Sequence, residues 1–409
     1  MPHSSLASSA EIHPFAEKLQ DKNIAWQRFS VPFEYPVYFA DSIFSVDNPT
    51  VANCLAQPGG ADNHRAIVFI DEGVTGAMPA LSAEVSRYFE VYEKQIRLAC
   101  APITVSGGEQ IKNDPTGVKN MLKVVADHRI DRHSYVIAIG GGALLDAVGL
   151  VAATSHRGIR HVRIPTTVLA QNDSGVGVKN GINLFGQKNY AGTFAPPYAV
   201  FNDYRFIRTL SDRDKLAGMA EAVKVALIRD NSFYQWLTHN AAPLALFDER
   251  AMQYMIRRCA ELHMHQIAMG GDPFETGSAR PLDYGHWAAH KLESLTKYEL
   301  RHGEAVAIGL ALDTRYSVCC GLLNPGADEQ VCDLLENLGF SLWHDSLNTT
   351  NENGELSVLQ GLNDFREHLG GQLTITLLED IGVGVEVNSI DHQLVRQAIS
   401  WLKHRAEQG

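Results

Sequence analysis

Cysteine is scarce in this chain and falls into no pattern. The six residues, Cys54, Cys100, Cys259, Cys319, Cys320 and Cys332, form no CxxC pair and lack the density of a disulfide framework. That excludes a disulfide-stapled secreted domain and makes reduced thiols and a cytoplasmic location the expectation. The adjacent Cys319 and Cys320 read as two helix residues rather than a redox pair. Long apolar runs are missing too. None approaches the ~20 residues that cross a bilayer, so no membrane partner is expected. The opening MPHSSLASSAEIHP has no basic stretch followed by an apolar one, so no secretory signal is expected. Positive charge is in deficit, with 47 acidic residues against 35 Lys and Arg and a net charge of −12. That argues against nucleic acid as a partner. Internal repeats and low-complexity tracts are absent. What remains is 409 residues of ordinary globular composition, 45% hydrophobic and 20% charged, enough for two domains with their own cores.

Along the chain, the first part alternates strand and helix patterns. QRFSVPFEYPVYFADSIF (27–44) suggests edge strands among prolines, and RAIVFIDEGV (65–74) a buried strand running into an acidic turn. Helical periodicity follows at 80–96, strand then turn at 103–109, and an amphipathic helix at 115–130. SYVIAIGGG (134–142) is a strand entering a glycine turn, with a helix directly after it at 143–155. This alternation predicts a parallel, doubly wound sheet. Residues 1–25 suggest a loose start and a short helix. After about residue 205 helical patterns dominate, at 211–229, 231–239, 248–269, 284–296, 302–320 and 326–338. A late strand pair, TITLLED and GVEV, precedes a final helix with Asp391 as its N-cap. The stretch NTTNENGE (348–355) reads as an exposed loop.

Between these halves lies RIPTTVLAQNDSGVGVKNGINLFGQKNYAGTFAPPYAVFND (163–203). It is too polar for an ordinary core element, because its many amides and charges need partners. Val168, Leu169, Val176, Ile182, Leu184 and Phe194 interrupt it too often for a linker. It reads as a compact loop around a polar, anionic small molecule. Glycines let backbone N–H groups approach the ligand, while Lys179 and Lys188 supply positive charge.

Two constellations carry chemistry. Gly140, Gly141 and Gly142 lie between a strand and a helix, where dinucleotide folds seat a pyrophosphate on helix N-terminal amides. The pattern is GGGxxxD rather than GxGxxG, and tight helix–strand packing alone would also use it. Asp71 and Glu72 end an earlier strand and are candidates for ribose hydroxyls. In the helical half, Glu221 and Lys224 share one helix face amid apolar neighbours. DYGHWAAH brings His286 and His290, and LRHGEAVAIG brings His302. A carboxylate and two imidazoles from separate elements match a catalytic zinc site with an open position. The residues alone therefore describe a nucleotide-binding α/β domain joined to a helical domain. A cleft between them would carry lysines and a divalent metal, and would process a small phosphorylated substrate.

In order along the chain, GGGALLDAVG, RIPTTVLAQNDSGVGVKNGIN, QKNYAGTF, GMAEAVK, YGH and HGEAVAIG resemble the sugar phosphate cyclases, the superfamily of 3-dehydroquinate synthase. The resemblance covers most of residues 65–390. It implies a Rossmann-like NAD-binding α/β domain (1–208) and a mainly α-helical metal-binding domain (209–409), with the active site in the cleft between them. It implies NAD and a divalent metal, zinc or cobalt, as cofactors. Glu221, His286 and His302 match the metal ligands. Asp71, Glu109, Lys112, Gly141, Gly142, Asp146, Thr166, Thr167 and Thr209 match cofactor contacts. Asp173, Lys179, Lys188, Asn189, Lys224, Asp283 and His290 match positions that hold the substrate's hydroxyls and phosphate. Arg157 matches an arginine that reaches a neighbouring subunit's phosphate site, so a homodimer is expected.

The departures bear on substrate. Dehydroquinate synthases have a lysine near the position of His263 and an arginine shortly before the asparagine of LNxGH. Here ARPLDYGH displaces that arginine to Arg280 and puts Asp283 in place of the asparagine. An aspartate there would repel a substrate carboxylate by ~1–4 kcal/mol. DFREHLGGQLTITLLEDIG resembles the cyclases that convert sedoheptulose 7-phosphate to valiolone-type C7 cyclitols. Sedoheptulose 7-phosphate, a phosphorylated ketoheptose, is the expected substrate, with phosphate released and the nicotinamide recycled. The product would be 2-epi-5-epi-valiolone or, because His290 stands where many such enzymes have proline, 2-epi-valiolone. The rivals are 3-dehydroquinate synthase acting on the carboxylated heptulosonate phosphate and an NAD- and metal-dependent polyol dehydrogenase. A non-catalytic binding protein that kept the fold is a further alternative.

Overall fold

Runs of aliphatic residues bounded by polar turns build a seven-stranded sheet. Its strands are β1 (Val37–Ala40), β2 (Arg65–Asp71), β3 (Arg97–Leu98), β4 (Ile103–Val105), β5 (Tyr135–Gly140), β6 (Arg160–Pro165) and β9 (Ala199–Asp203). The order is β1-β9-β6-β5-β2-β3, with β4 pairing further along β2, and every pairing is parallel. The central strands read as continuous apolar runs because helices cover both faces. On one face Val68, Ile70, Ile137 and Ile139 pack with α1 (Thr50–Leu55) and α3 (Leu81–Val91). On the other, Ile67, Phe69, Val136 and Ala138 pack with α4 (Pro115–Asp127) and α5 (Gly142–Thr154). The acidic turn expected after β2 is instead a short helix, α2 (Glu72–Ala77), capped by the Asp71 side chain.

From β2 the chain runs outward to β3 and β4, then returns to β5 on the other side of β2. Connections leave these neighbours in opposite directions, and such a switch point opens a crevice at the strands' carboxyl ends. Asp71 ends β2 and Gly140 ends β5. A Cβ on Gly140 would stand 3.1 Å from Asp71 Cβ and 2.6 Å from Leu144 Cδ2, so glycine eases the close approach of the two strand ends.

The computed structural model describes residues 27, 29–56, 64–185, 187–276, 280–368 and 371–408. Tyr35–Gly409 forms one compact unit. Residues 29–34, in the separate N-terminal unit, are exposed and irregular. The short helix expected within residues 1–25 lies outside the described residues. Of the edge strands expected over 27–44, β1 alone forms among the described residues, beside β9.

Residues 163–203 are not the single compact loop expected. They contain α6 (Val168–Asn172), an antiparallel hairpin of β7 (Lys179–Leu184) and β8 (Gln187–Phe194), and β9. The hairpin escapes a periodicity reading because β8 is largely exposed and has no alternation of buried and exposed residues. The segment's polar groups are nonetheless buried. Arg163 has no exposed surface. Its Nη1 donates to the Gly175 and Gly177 carbonyls at 3.3 and 2.8 Å. Its Nη2 donates to Lys179 O at 2.9 Å and Asn180 Oδ1 at 2.7 Å. Tyr35 Oη donates to Val176 O at 2.8 Å. One guanidinium thus answers the acceptors of a whole loop.

The expected helix 211–229 is two helices, α7 (Asp212–Ala217) and α8 (Met219–Arg229), broken at Gly218. Asn172 of α6 donates to Gly218 O at 2.8 Å, tying the sheet to the helical part at the break. Next come α9 (Asn231–His239), α10 (Ala241–Ala245) and α11 (Glu249–Met269), followed by α12 (His286–Leu295), α13 (His302–Cys319), α14 (Ala327–Leu338) and α15 (Gln360–His368). β10 (Ile375–Asp380) and β11 (Val383–Val387) pair antiparallel, and α16 (His392–Gln408) opens with Asp391 Oδ1 accepting from Gln393 N at 2.7 Å. Gly285 precedes α12 with φ +78, and a Cβ on Gly309 of α13 would stand 2.0 Å from Gly285 O. These two glycines let α12 and α13 press together. Among the described residues no helix is long and apolar enough to cross a membrane.

Arg163→Met keeps the bulk of this side chain and removes its donors. It is expected to lower the unfolding free energy by about 3 kcal/mol or more, because buried carbonyls lose their partners. Urea denaturation reads this. A loss below ~1 kcal/mol, the worth of one ordinary hydrogen bond, would mean that water substitutes for the guanidinium.

Candidate active site

Three elements bring the charged residues together. α8 is buried from Met219 to Ile228, and Glu221 and Lys224, one turn apart, have nowhere to find water. His286 opens α12 and His302 opens α13, so the close crossing of these helices sets the two imidazoles side by side, 5.3 Å between ring centres. His286 Nδ1 lies 3.0 Å from Tyr284 O, which turns Nε2 toward Glu221. Glu221 Oε1 lies 3.7 Å from His286 Nε2 and 3.5 Å from His302 Nε2. Neither imidazole comes close enough for a good hydrogen bond to Glu221. Donor atoms around a four-coordinate ion at about 2.0–2.1 Å are separated by roughly 3.3 Å. The spacing is too wide for hydrogen bonds and close to that of ligands sharing a cation, so the three residues can hold a metal ion.

Lys224 pairs with Glu221 and lies 3.7 Å from Asp173 Oδ1. Asp173 also accepts from His263 Nδ1 at 2.9 Å. Burial pulls the Lys224 ammonium toward deprotonation, but Glu221 and Asp173 more than offset it, so it stays charged. Burial likewise pushes the Asp173 carboxyl up, and Lys224 and His263 hold it well below the usual range. For Glu221 the same balance of burial against Lys224 leaves the carboxyl low, at about 2.

Of the other residues expected to meet substrate, His290, Lys188, Lys179 and Asp283 lie around this centre, whereas no contact among the described residues joins Arg157 to it. The rings of His290 and His302 are 5.9 Å apart, and His290 is exposed to the opening. Lys188 Nζ lies 3.3 Å from Glu293 Oε1. Lys179 pairs with Glu275 at 2.6 Å, and Arg280 Nε lies 3.2 Å from the other Glu275 oxygen. Asp283 is half-buried before α12; burial raises its carboxyl, and the charges of Lys179 and His286 bring it below its ordinary value. Arg157 is exposed in a turn after α5 with φ 63.

The residues expected to hold a dinucleotide gather at the switch point. Gly141 precedes α5 with no side chain capping its amides, which leaves them free for an anion. Asp71 caps Gly73 N at 2.8 Å. Lys112 and Asp146 pair at 2.9 Å, and Lys112 also bonds Asn189. Glu109 accepts from Asn183 at 2.8 Å. Asn189 therefore sits with the Lys112 group, while its neighbour Lys188 faces α12. Thr166 N bonds Gly140 O at 3.0 Å, and Thr167 Oγ1 caps Ala170 N at 3.1 Å. Thr209 lies in the turn after β9, its hydroxyl donating to Phe206 O at 2.7 Å.

Models of 3-dehydroquinate synthase match the chain in two pieces, the N-terminal one at residues 102–217 and the C-terminal one at 218–357. A 3-dehydroquinate synthase of Halorhodospira halophila is 32% identical over 86% of this chain and 92% of its own length. The chain belongs to the 3-dehydroquinate synthase family of sugar phosphate cyclases. A member from Nitratiruptor sp. is 39% identical over 59% of this chain and 68% of its own length. Among solved structures, a 2-epi-5-epi-valiolone synthase from Streptomyces hygroscopicus subsp. jinggangensis 5008, with NAD+ and Zn2+ bound, superposes with a TM-score of 0.80. It is 26% identical, and the match covers 93% of this chain and all of that one. Family membership carries with it the catalytic machinery of a lyase-type cyclase.

Three residues of the site escaped the sequence reading as participants. His263 was singled out only as a departure, Glu275 not at all, and Glu293 not at all. Glu293 was findable, since it follows His286 and His290 at i+7 and i+3 on one helix face. Glu275 carried no such signal, because irregular chain places it.

Asp313 of α13 supports the site from beneath. Its carboxylate accepts from Gly285 N at 3.1 Å and Trp287 Nε1 at 2.8 Å, on either side of His286. Burial pushes its carboxyl up to about 7. The folded-state value thus lies above the unfolded one of about 3.9. Its contribution to stability is full below about pH 4 and is lost as pH rises through 7, a span on the order of 4 kcal/mol. Thermal unfolding should therefore move to lower temperature between pH 5 and 8, and Asp313→Asn should flatten that slope. An unchanged slope in the variant would assign the titration elsewhere.

Proposed function

We propose that this protein is an NAD- and divalent-metal-dependent sugar phosphate cyclase. It removes phosphate from a seven-carbon ketose phosphate and closes a carbocycle. The observation that carries this reading is the convergence of Glu221, His286 and His302, with Glu221 Oε1 facing both imidazoles and Oε2 paired with the buried ammonium of Lys224. Glu221, His286 and His302 would hold the ion, zinc or cobalt. When bound, the ion supplies Lewis acidity at a substrate hydroxyl, and NAD supplies a hydride acceptor that is restored within the cycle. The glycine turn with Gly141 and Gly142 would seat the pyrophosphate, and Asp71, Glu109, Lys112, Asp146, Thr166, Thr167 and Thr209 would surround the rest of the nucleotide.

Lys179, Lys188 and Lys224 would balance the charge of the phosphate as it leaves. Asp173, Asn189, Asp283 and His290 would fix the hydroxyls, so that one flexible intermediate stays positioned through successive steps. Division of the chain at 208/209 and completion of the phosphate site by Arg157 of a second copy in a homodimer belong to the same reading.

For the substrate, the curated relatives favour the carboxylated heptulosonate phosphate, since they bear the name 3-dehydroquinate synthase. One feature of the site favours a second reading, sedoheptulose 7-phosphate. Glu275 bridges Lys179 and Arg280 and so already occupies, with its own carboxylate, the basic groups a substrate carboxylate would need. Asp283 adds a further negative charge nearby. The 2-epi-5-epi-valiolone synthase likeness agrees with this second reading.

Incubation with each sugar phosphate, followed by phosphate release and product NMR, separates the two. Turnover of the carboxylated sugar alone would remove the second reading. Turnover of neither, with NADH accumulating from a polyol, would remove the cyclase reading. Glu221→Gln is expected to lose bound metal and to lower activity at least 100-fold while circular dichroism is unchanged. Full metal content in that variant would contradict the ligand assignment.

A further inference from the structure

Glu293 lies on α12 and is buried, 5% exposed. Its two carboxylate oxygens are divided between two partners. Oε2 lies 3.2 Å from His302 Nδ1, and Oε1 lies 3.3 Å from Lys188 Nζ. His302 is divided in the same way, with Nε2 facing Glu221 and Nδ1 facing Glu293. An imidazole that ligates a metal through Nε2 carries its remaining proton on Nδ1. A carboxylate that accepts this proton fixes the tautomer and the ring's orientation.

We propose that Glu293 is a positioning residue with two tasks. It holds His302 with Nε2 toward the metal set, and it anchors Lys188 of the β7–β8 hairpin against the same ring. The reading of Glu221, His286 and His302 as metal ligands, made above, underlies this inference. Through Glu293 the hairpin and the metal centre become one unit. The carboxylate that orients the ligand also fixes the lysine, so Lys188 reaches the substrate at a set distance from the cation.

The same residue belongs to a second group of donor atoms, His290, Glu293 and His302. That set is a poor second metal site. Glu293 is already committed to two donors, and His302 would have to give up its Nδ1 proton while Nε2 serves the first set. A second bound ion is therefore an outcome that the test must exclude.

The test uses the full chain loaded with zinc, with affinity measured by competition against a chromogenic chelator. Glu293→Gln keeps the shape and loses the charge; it is expected to weaken zinc binding roughly 10–100-fold. Glu293→Asp should recover part of that loss. NMR of the zinc-loaded wild type with 15N-labelled histidine should find His302 bound through Nε2 with a protonated Nδ1 that exchanges slowly with water. Exchange at that proton should quicken in Glu293→Gln. NAD affinity should be the same in all three proteins, which separates positioning from misfolding.

Zinc affinity unchanged in Glu293→Gln would overturn the proposal. So would ligation through Nδ1, or two zinc ions per wild-type chain, and these readings do not depend on any variant folding. Loss of zinc in Glu221→Gln together with unchanged affinity in Glu293→Gln would sink this inference alone. Unchanged affinity in both would sink the metal reading with it.

Discussion

A single guanidinium, with no surface exposed, fixes where the chemistry can occur. Arg163 sits inside the parallel sheet on β6 and has no carboxylate in hydrogen-bonding contact. It spends its donors on carbonyls of residues 175 to 179 and on Asn180. A buried arginine tolerates this arrangement because both terminal nitrogens find acceptors, while Nε alone goes without one, and the loop carbonyls tolerate burial because the guanidinium meets them. The loop so gathered starts at Asp173 and ends at Lys179. The sheet therefore delivers one end of that loop to α8 and the other to the mouth of the site.

The helical part imposes a second constraint, the balance of charge in a place without water. Lys224 sits against Glu221 and within 3.7 Å of Asp173. The geometry suits a centre that must keep an ammonium protonated and a carboxylate ionised side by side, ready for a cation and an anionic substrate. Asp313 fixes the residues on either side of His286 from below. Glu293 touches His302 from beside it. The metal set is thus surrounded by carboxylates that do not belong to it, which fits a site where the angle of each ring matters.

Much of this was legible in the sequence. The alternation of apolar strands and amphipathic helices predicted the parallel sheet, and most helices after residue 205 were placed to within a few residues, but the break at Gly218 and the short helices α10 and α15 were not foreseen. The glycine turn marked the end of β5. Glu221, His286 and His302 were singled out as chemical types from separate elements, and the structure brings them together. The polar segment 163–203 was recognised as unusual, but its hairpin was not, because β8 is largely exposed and β7 buries three consecutive residues, so neither strand impresses a period of two on the sequence. Its buried amides were invisible as core for the opposite reason. Arg163 and Asn180 look like surface residues until the carbonyls that receive them are known.

The amino-acid sequence by itself determined most of the elements and the chemical types at the heart of the site, because strand and helix periods and the pairing of Glu221 with Lys224 along α8 are local properties of the chain. It could not determine which distant groups complete one another. That Glu275 lies between Lys179 and Arg280, that Glu293 lies between His302 and Lys188, and that Asp313 spans Gly285 and Trp287 were decided by the tertiary structure alone. The close crossing of α12 over α13 and the loop held by Arg163 set these partners side by side. Most of these contacts join groups whose separation along the chain carries no trace of their separation in space.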